Sequence, residues 1–187
     1  MRALISGLIL AFGISGLATA DAVADGGFVL AKGKRFFAEV ARTPAEHARG
    51  LMYRTSLKSD RCMFFVYSQE SYHAIWMKNC YIALDVAWID AGGKVVEIET
   101  NIPPCSPMRG DDCPNYGGNV LSRHFIEFPV GTIKRIGLKV GDKVGWDLQF
   151  SNGGTSIGGL PITDKSPLGN AKPKSTKPKT GSTSQKK

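Results

Sequence analysis

Short apolar segments separated by turn-forming residues run along most of the chain. They are rich in β-branched and aromatic residues, and several alternate apolar with polar positions, as strands with one buried face do. The segments that predict strands are RFFAEVA (35–41), CMFFVY (62–67), HAIWMKN (73–79), IALDVAWID (82–90), KVVEIE (94–99), NVLSRHFIEF (119–128) and the end of GDKVGWDLQF (141–150). Many short strands at close spacing predict a mainly β domain, an antiparallel sandwich or barrel.

One short helix interrupts these strands. In TPAEHARG, Thr43 can serve as N-cap, Pro44 fits the first helical position, and Glu46 completes a capping box. Gly50 can end the helix in a left-handed conformation. The segment 130–137 (VGTIKRIG) predicts a second helical turn, so we expect one or two short helices.

The beginning of the chain predicts export. Arg2 precedes an apolar run that ends in the small-x-small motif Ala18-Thr19-Ala20, the layout of a cleaved signal peptide. The run is shorter than the roughly 20 residues of a membrane span, although a retained N-terminal anchor is the alternative. We therefore expect a periplasmic or secreted protein. The predicted parts are a signal peptide (1–20), a lead (21–34), a single β domain (35–151) and a tail (152–187).

The positive charge belongs to the tail. The whole chain carries +8, but seven Lys and one Asp give 152–187 a net charge of +6. The segment 21–151 has 16 basic and 15 acidic residues, a net charge of +1. A specific nucleic-acid face on the domain is therefore not expected. The tail is rich in Gly, Ser, Thr, Pro and Lys, which predicts disorder. It is either a solubilising segment or a weak contact for anionic envelope surfaces.

Four cysteines, an even number in an exported chain, suggest disulfides. The simplest pairing joins Cys105 to Cys113 across a Pro- and Gly-rich loop and leaves Cys62 with Cys80. Three pairings are formally possible. A zinc site is the rival, but the chain has no Cys-x-x-Cys pair and its three histidines are scattered. We expect no metal and no cofactor.

Polar residues interrupt the apolar segment 73–90. A buried carboxylate such as Asp85 needs a partner, and Lys78, Asn79, Arg54 and backbone N–H groups are the candidates. One interpretation gives Asp85 a purely structural role. The other places a small polar or anionic ligand between the 50–54 loop and a hairpin containing 76–85, with Trp76 as an apolar wall. The predicted ligand-binding residues are Arg54, Trp76, Lys78, Asn79 and Asp85.

These residues lie within motifs that have a family likeness. The combination of EVARTPAEHARGLMYR with MFFVY, WMKN, LDVAWID and a later GD resembles the family called domain of unknown function one hundred and ninety-two, from about Phe36 to Trp146. The resemblance implies a commonly exported β-sandwich with jelly-roll character and no established activity. Such proteins usually have Gly in place of Cys62 and Thr in place of Cys80, and this double departure supports pairing the two. Ala83 stands where proline is common.

Three functions remain open at this point. The favoured one is an exported, envelope-associated domain that binds a small polar or anionic ligand. The second is a small hydrolase or lyase acting on envelope carbohydrate, which would need convergent acid and base groups. The third is a structural or interaction module. No nucleophile motif appears, so the sequence identifies no catalytic residue, and it leaves the oligomeric state open.

Overall fold

The structure, a computed structural model, describes residues 25–159. The signal peptide predicted at 1–20 and the part of the predicted tail from residue 160 onward lie outside the described residues. Within 25–159, no helix is both long enough and apolar enough to cross a membrane.

Strands dominate the described chain, with two short α-helices and a 3-10 turn at Pro107–Arg109. The bounds are β1 (Gly26–Ala31), β2 (Lys34–Ala41), α1 (Pro44–Arg49), β3 (Arg61–Ser71), β4 (Ile75–Trp76), β5 (Leu84–Ile89), β6 (Val95–Ile102), β7 (Asn115–Tyr116), β8 (Ser122–Pro129), α2 (Thr132–Ile136), β9 (Val144–Gln149) and β10 (Thr155–Gly158). The expectation of a mainly β domain with one or two short helices is confirmed.

Eight strands form one sheet in the order β10-β9-β1-β2-β3-β8-β5-β6, and β4 pairs with β7 in a small second sheet. The large sheet curls into a half-barrel, which agrees with the sandwich- or barrel-like expectation. Pairing in the large sheet is antiparallel except that 37–41 of β2 runs parallel to 61–65 of β3. Parallel neighbours need a crossover rather than a tight turn, and α1 with the loop after it supplies that crossover.

The sheet continues beyond both predicted limits of the β domain. β1 lies within the segment predicted as a lead, and β10 lies within the predicted tail. Both strands pair with β9, so backbone hydrogen bonds bring them into the sheet. β10 has the sequence TSIG, with a single large apolar residue, which explains why hydrophobic pattern alone did not indicate it.

The predicted hairpin within 73–90 is wrong. β4 is only two residues long and pairs with β7, whereas β5 pairs with β6 and β8 in the large sheet. The chain leaves β4 through a turn in which Asn79 adopts φ of 56°. A left-handed residue breaks an extended strand, so the two halves of this apolar segment separate into different sheets.

Two groups of buried apolar residues pack on opposite faces of the large sheet. The first core cluster contains Phe64, Ile126 and Phe128, and the second contains Phe65 and Phe125. This division follows the alternation of side chains along β3 and β8.

The four cysteines form one disulfide and two free thiols. Cys105 and Cys113 form a disulfide, with a Cα–Cα distance of 5.9 Å, as predicted. Cys62 and Cys80 are buried free thiols, so the predicted bond between them is wrong. Cys62 packs in the first core cluster and Cys80 in the second, which puts the sheet between them.

The predicted start of α1 is confirmed in detail. The Thr43 side chain accepts a hydrogen bond from the Glu46 N–H, and the Glu46 side chain accepts one from the Thr43 N–H. Gly50 ends the helix with φ of 43° and ψ of −131°, a positive φ outside the left-handed helical region that was expected. Its N–H donates to the Glu46 carbonyl at 2.8 Å.

Candidate functional site

Asp85, the first of the predicted site residues, is fully buried on β5. Its Oδ1 accepts a hydrogen bond from the Asn101 N–H and its Oδ2 one from the Ile133 N–H, both at 2.9 Å. Ile133 lies in the first turn of α2, whose N-cap, Gly131, has no side chain to cap the helix. The Asp85 carboxylate therefore takes the place of an N-cap side chain. This matches the structural interpretation of Asp85.

Arg54 forms an ion pair with a residue outside the predicted site rather than with Asp85. Its guanidinium pairs with Glu39, with Nη1 at 3.3 Å from Oε1 and Nη2 in contact with Oε2. Among the described residues it forms no ion pair with Asp85. Arg54 and Glu39 both lie in the wall of a wide depression of about 580 Å³, which Glu46 and Arg49 of α1 also line. Of the candidate partners of Asp85, the backbone N–H groups are confirmed, and Arg54 is not its partner.

The acids of this wide depression already have partners. Asp25 pairs with the Arg42 guanidinium and accepts a hydrogen bond from the Ser151 N–H at 2.6 Å. Glu46 is engaged in the capping box, and Glu39 is held by Arg54. None of these carboxylates is left unpaired, so no acid of the depression is available to bind a ligand.

The segment 76–79 contacts two loops through the side chains of Trp76, Lys78 and Asn79. The Lys78 Nζ pairs with Asp111 and lies 4.8 Å from the centre of a Trp76 ring. Trp76 Nε1 donates to the Cys113 carbonyl at 3.0 Å. Asn79 Nδ2 donates to the Tyr53 hydroxyl at 2.9 Å. These contacts tie the disulfide loop and the 50–54 loop to the segment after β4.

A separate cavity of about 150 Å³ lies between α1 with the turn after it and the segment 74–80. It shares part of the predicted location, because Met52 and Trp76 both line it, but Arg54, Lys78, Asn79 and Asp85 do not. We call it the Glu127 pocket. Its lining residues are His47, Ala48, Arg49, Gly50, Leu51, Met52, Phe65, Tyr67, Ala74, Ile75, Trp76, Cys80, Phe125 and Glu127.

The pocket has an open rim and a closed floor. Ala48, Arg49 and Ala74 are exposed, and Trp76 keeps 40% of its surface in contact with solvent. Glu127 is buried at 7% exposure, as are the other floor residues Leu51, Phe65, Cys80 and Phe125. A small molecule could therefore enter from the surface and reach the carboxyl group.

Glu127 lies on β8, between two apolar cross-strand neighbours. Met63 of β3 is paired with it on one side and Val86 of β5 on the other. Its Oε2 is buried and has no hydrogen-bond partner among residues 25–159. Burial away from water raises the pKa of Glu127 to about 8. The side chain is therefore mostly a neutral carboxylic acid at neutral pH, able both to donate and to accept a hydrogen bond.

A stack of three rings runs beside the carboxyl group. The centres of the His47 and Tyr67 rings are 4.2 Å apart, and those of Tyr67 and His73 are 3.8 Å apart. His47 Nε2 lies 3.1 Å from the carbonyl oxygens of Ala41 and Val66, so it carries the proton and donates. Burial lowers the pKa of His73. The stack holds Tyr67 as a fixed aromatic wall.

Tyr67 and Cys80, which also line the pocket, stay neutral at neutral pH. Burial, and secondarily the Glu127 charge, raise the pKa of Tyr67 to about 12. The same two causes raise the pKa of the Cys80 thiol to about 12. Cys80 is therefore a poor nucleophile at neutral pH, since the thiolate is the reactive form. Residues 25–159 contain no group of three or more His, Cys, Asp or Glu that could hold a metal ion.

Comparison with known proteins shows the relationship of the chain. The model of the family described as uncharacterized ACR, DUF192, matches residues 28–146. The chain belongs to the DUF192 family. The resemblance inferred from the GLM-x-R and WMKN motifs is thereby confirmed, and every residue that lines the Glu127 pocket falls within the matched part of this DUF192 chain. No curated protein matches the sequence.

Two solved structures resemble this DUF192 domain. One, described as a protein of unknown function from Novosphingobium aromaticivorans, has 32% identity, a TM-score of 0.57, and a match covering 65% of this chain and 84% of that chain. The other, from Sinorhizobium meliloti and described as a proposed transcription regulator, has 27% identity and a TM-score of 0.55, with 65% and 92% covered. The neighbours agree with the family and leave the activity unassigned.

Sequence reasoning missed the polar group that reaches the pocket. Glu127 lies in RHFIEF, between Ile126 and Phe128, where every neighbour predicts burial. An ionisable residue inside such a strand is as anomalous as Asp85 in LDVAWI, and the same argument would have identified it. His47 and Tyr67 gave no comparable signal, because a single histidine on a short helix is more often exposed.

Proposed function

We propose that this chain is an exported DUF192 domain that binds a small polar ligand in the Glu127 pocket. The observation that carries the proposal is the unpartnered Oε2 of Glu127 at the floor of a cavity with an open rim. A buried polar group without a partner costs roughly 1–3 kcal/mol. A ligand that supplies a hydrogen-bond donor would recover this free energy when it binds.

The geometry favours a polar ligand over an anionic one. The two cations expected to recognise an anion, Arg54 and Lys78, pair with Glu39 and Asp111 and do not line the pocket. An acid at the floor also repels an anion when it ionises. These two observations favour an uncharged or cationic ligand in this pocket.

Export is the second part of the proposal. The N-terminal 20 residues have the layout of a signal peptide, and the disulfide between Cys105 and Cys113 is compatible with an oxidising compartment. The two free thiols, Cys62 and Cys80, are buried, where oxidation is hindered. Edman sequencing of the protein recovered from the periplasm or medium tests this part, and an intact Met1 would count against cleavage.

The two alternatives receive less support. A carbohydrate hydrolase of the usual kind needs two carboxyl groups, but Glu127 is the only Asp or Glu among the residues that line the pocket. A purely structural role for Glu127 is hard to reconcile with the cost of an unpaired buried carboxyl group. That role remains an outcome of the experiment.

A thermal-shift screen of the purified chain against envelope sugars, polyols, amines and carboxylates tests the binding function. We expect at least one hit whose affinity falls in Glu127→Gln or in Trp76→Ala. Glu70→Gln is the matched control, because it makes the same chemical change on an exposed side chain. Arg54→Ala should also leave affinity unchanged. A ligand whose affinity depends on Arg54 but not on Glu127 would overturn the assignment of the pocket.

A further inference from the structure

We infer that the ligand of the Glu127 pocket is a small organic ammonium ion, an inference that rests on the proposed binding function of the same pocket. The floor presents a carboxyl oxygen without a hydrogen-bond partner, and the walls are largely aromatic and apolar. Together these are two features that suit an amine cation: an acid against its N–H groups and apolar surface against its hydrocarbon part.

The aromatic walls come from three different elements. Phe65 and Tyr67 project from β3, Phe125 from β8 and Trp76 from β4. One of these rings already contacts an ammonium group, since the Lys78 Nζ lies 4.8 Å from the centre of a Trp76 ring. The Phe65 and Phe125 rings stack on each other, and histidine rings cover the two faces of Tyr67, so these rings supply apolar surface rather than free faces. A small cavity with apolar walls and one acid favours a small amine over a neutral sugar, which would need more hydrogen-bonding groups than the pocket offers.

No Arg or Lys lies among the buried residues at the floor of the pocket, where Glu127 is. Among its lining residues Arg49 is the only Arg or Lys, and it is exposed at the rim, where water and salt screen it. Of the titratable groups that face the carboxyl group, Tyr67 from β3 and Cys80 from the turn after β4 remain neutral, and His47 from α1 donates to backbone carbonyls. An incoming ammonium ion would be the counter-ion of Glu127.

The volume limits the ligand to a few heavy atoms. The cavity of about 150 Å³ is well below the roughly 300–1,000 Å³ of pockets that hold drug-sized molecules. Ethanolamine is a suitable probe, because ethylene glycol has the same skeleton with a hydroxyl group in place of the ammonium group. Comparing the affinities of the two compounds shows the effect of the positive charge at nearly constant size and shape.

Binding of a cation has a proton signature that binding of a neutral ligand lacks. Glu127 has a pKa of about 8, so at neutral pH the free protein holds a proton that must leave when an ammonium ion pairs with the carboxylate. Affinity should therefore fall by about tenfold for each unit that the pH decreases below neutrality. The proton lost from Glu127 passes to the buffer, and the ammonium ion keeps its own.

Isothermal titration calorimetry of the full chain in two buffers of different ionisation enthalpy measures this exchange. We expect ethanolamine to bind with release of close to one proton, and to bind at least about tenfold more weakly to Glu127→Gln, which keeps the shape but cannot ionise. Glu70→Gln should bind as the wild type does. Binding of ethylene glycol as tightly as ethanolamine, or binding without proton release, would overturn the ammonium assignment.

Two further outcomes separate this inference from the proposed function. A neutral compound that binds in a Glu127-dependent manner, when ethanolamine does not, would refute the ammonium ligand and leave the binding function standing. Failure of every compound in the screen would refute both. Vesicles containing phosphatidylethanolamine or its N-acetylated form distinguish a lipid headgroup from a free amine: preference for the unmodified lipid supports a headgroup, and binding of ethanolamine alone supports a free amine.

Discussion

Two buried titratable side chains, His124 and Glu127, lie on opposite faces of β8. Burial lowers the pKa of His124 to about 4, and its Nδ1 accepts a hydrogen bond from the Tyr67 N–H at 3.2 Å. Burial raises the pKa of Glu127 to about 8. Both groups are therefore mostly neutral inside the protein at neutral pH. Their effects on stability have opposite signs, because one resists gaining a proton and the other resists losing one.

Glu127→Gln should change the pH dependence of the free energy of unfolding. Between pH 4.5, the ordinary pKa of a glutamate, and about pH 8, the folded protein holds a proton that the unfolded chain releases. Glu127 therefore contributes stability that is complete below this window and is lost as the pH rises through it, by up to roughly 1.4 kcal/mol per pH unit. Urea unfolding at several pH values should show the variant gaining stability relative to wild type as the pH rises.

His124 complicates the wild-type curve and provides the internal check. Its lowered pKa makes stability fall as the pH decreases from 6.5 towards 4, so the two slopes partly cancel between pH 4.5 and 6.5. In Glu127→Gln, the pH dependence of the free energy of unfolding should show the contribution of His124 alone. In His124→Asn, which keeps an acceptor for the Tyr67 N–H, it should show the contribution of Glu127 alone. Parallel curves for wild type and Glu127→Gln would contradict the buried neutral acid.

Asp85→Asn should destabilise the fold without affecting the Glu127 pocket. The amide has one acceptor oxygen in place of two and no negative charge for the N-terminus of α2, so we expect a loss of roughly 2–3 kcal/mol. Chemical denaturation measures the loss. Asp111→Asn is the control, since the Asp111 side chain is 81% exposed and its pair with Lys78 should contribute less than about 1 kcal/mol. Equal losses in the two variants would contradict the capping role.

The sequence predicts individual helices and strands better than it predicts which strands pair with each other. The capping box of α1 is a property of four consecutive residues, 43–46, so the sequence predicts it directly. The parallel pairing of β2 with β3, and the separation of β4 from β5, depend on which distant strands lie alongside. Side-chain alternation specifies the face of a strand but does not identify its neighbour.

Thr43→Ala tests whether α1 supports the wall of the pocket. Loss of the hydrogen bond from the Glu46 N–H should cost about 1 kcal/mol of stability. α1 carries His47 and Arg49, which line the pocket, so fraying of its first turn should also lower the affinity for any ligand found by the screen. Urea unfolding and ligand titration measure the two effects. Thr55→Ala, on an exposed loop residue, should change neither, and equal effects of both variants would contradict the capping argument.

The complete pocket could be predicted only in part. Its approximate place follows from the motifs around Gly50 and Trp76, which both line it. Its chemistry did not follow, because Arg54, Lys78 and Asp85 found other partners, and Glu127 comes from a strand about fifty residues further along the chain than Trp76. Partner choice among charged side chains is a tertiary property. A buried acid in an apolar strand was the available clue.

The net charge of the molecule is unevenly distributed along the chain. The family match ends at residue 146, and the segment 152–187 carries +6 of the total +8. The folded domain is therefore close to neutral, and a basic surface is not a property of the part shared with the family. Any salt-dependent attraction to anionic surfaces belongs to the tail.

The distribution of the cysteines makes thiol chemistry a probe of the whole fold. Cys62 lies in the first core cluster with 0% exposure, and Cys80 lies in the second and lines the Glu127 pocket. Burial raises the pKa of both thiols, so neither reacts quickly in the folded protein. A reagent reaches Cys62 only when the sheet opens, whereas Cys80 can also be reached through the pocket.

Mass spectrometry after timed alkylation should therefore find one disulfide, Cys105–Cys113, and two thiols that react at different rates. Cys62 should be labelled no faster than the protein unfolds globally, as measured by hydrogen exchange of core amides. Cys80 should be labelled faster, and a ligand bound in the pocket should slow Cys80 without changing Cys62 beyond the general gain in stability. A Cys62–Cys80 disulfide in the native protein would contradict the placement of the two thiols on opposite faces of the sheet. Equal labelling of both thiols would instead mean that the pocket gives no access to Cys80.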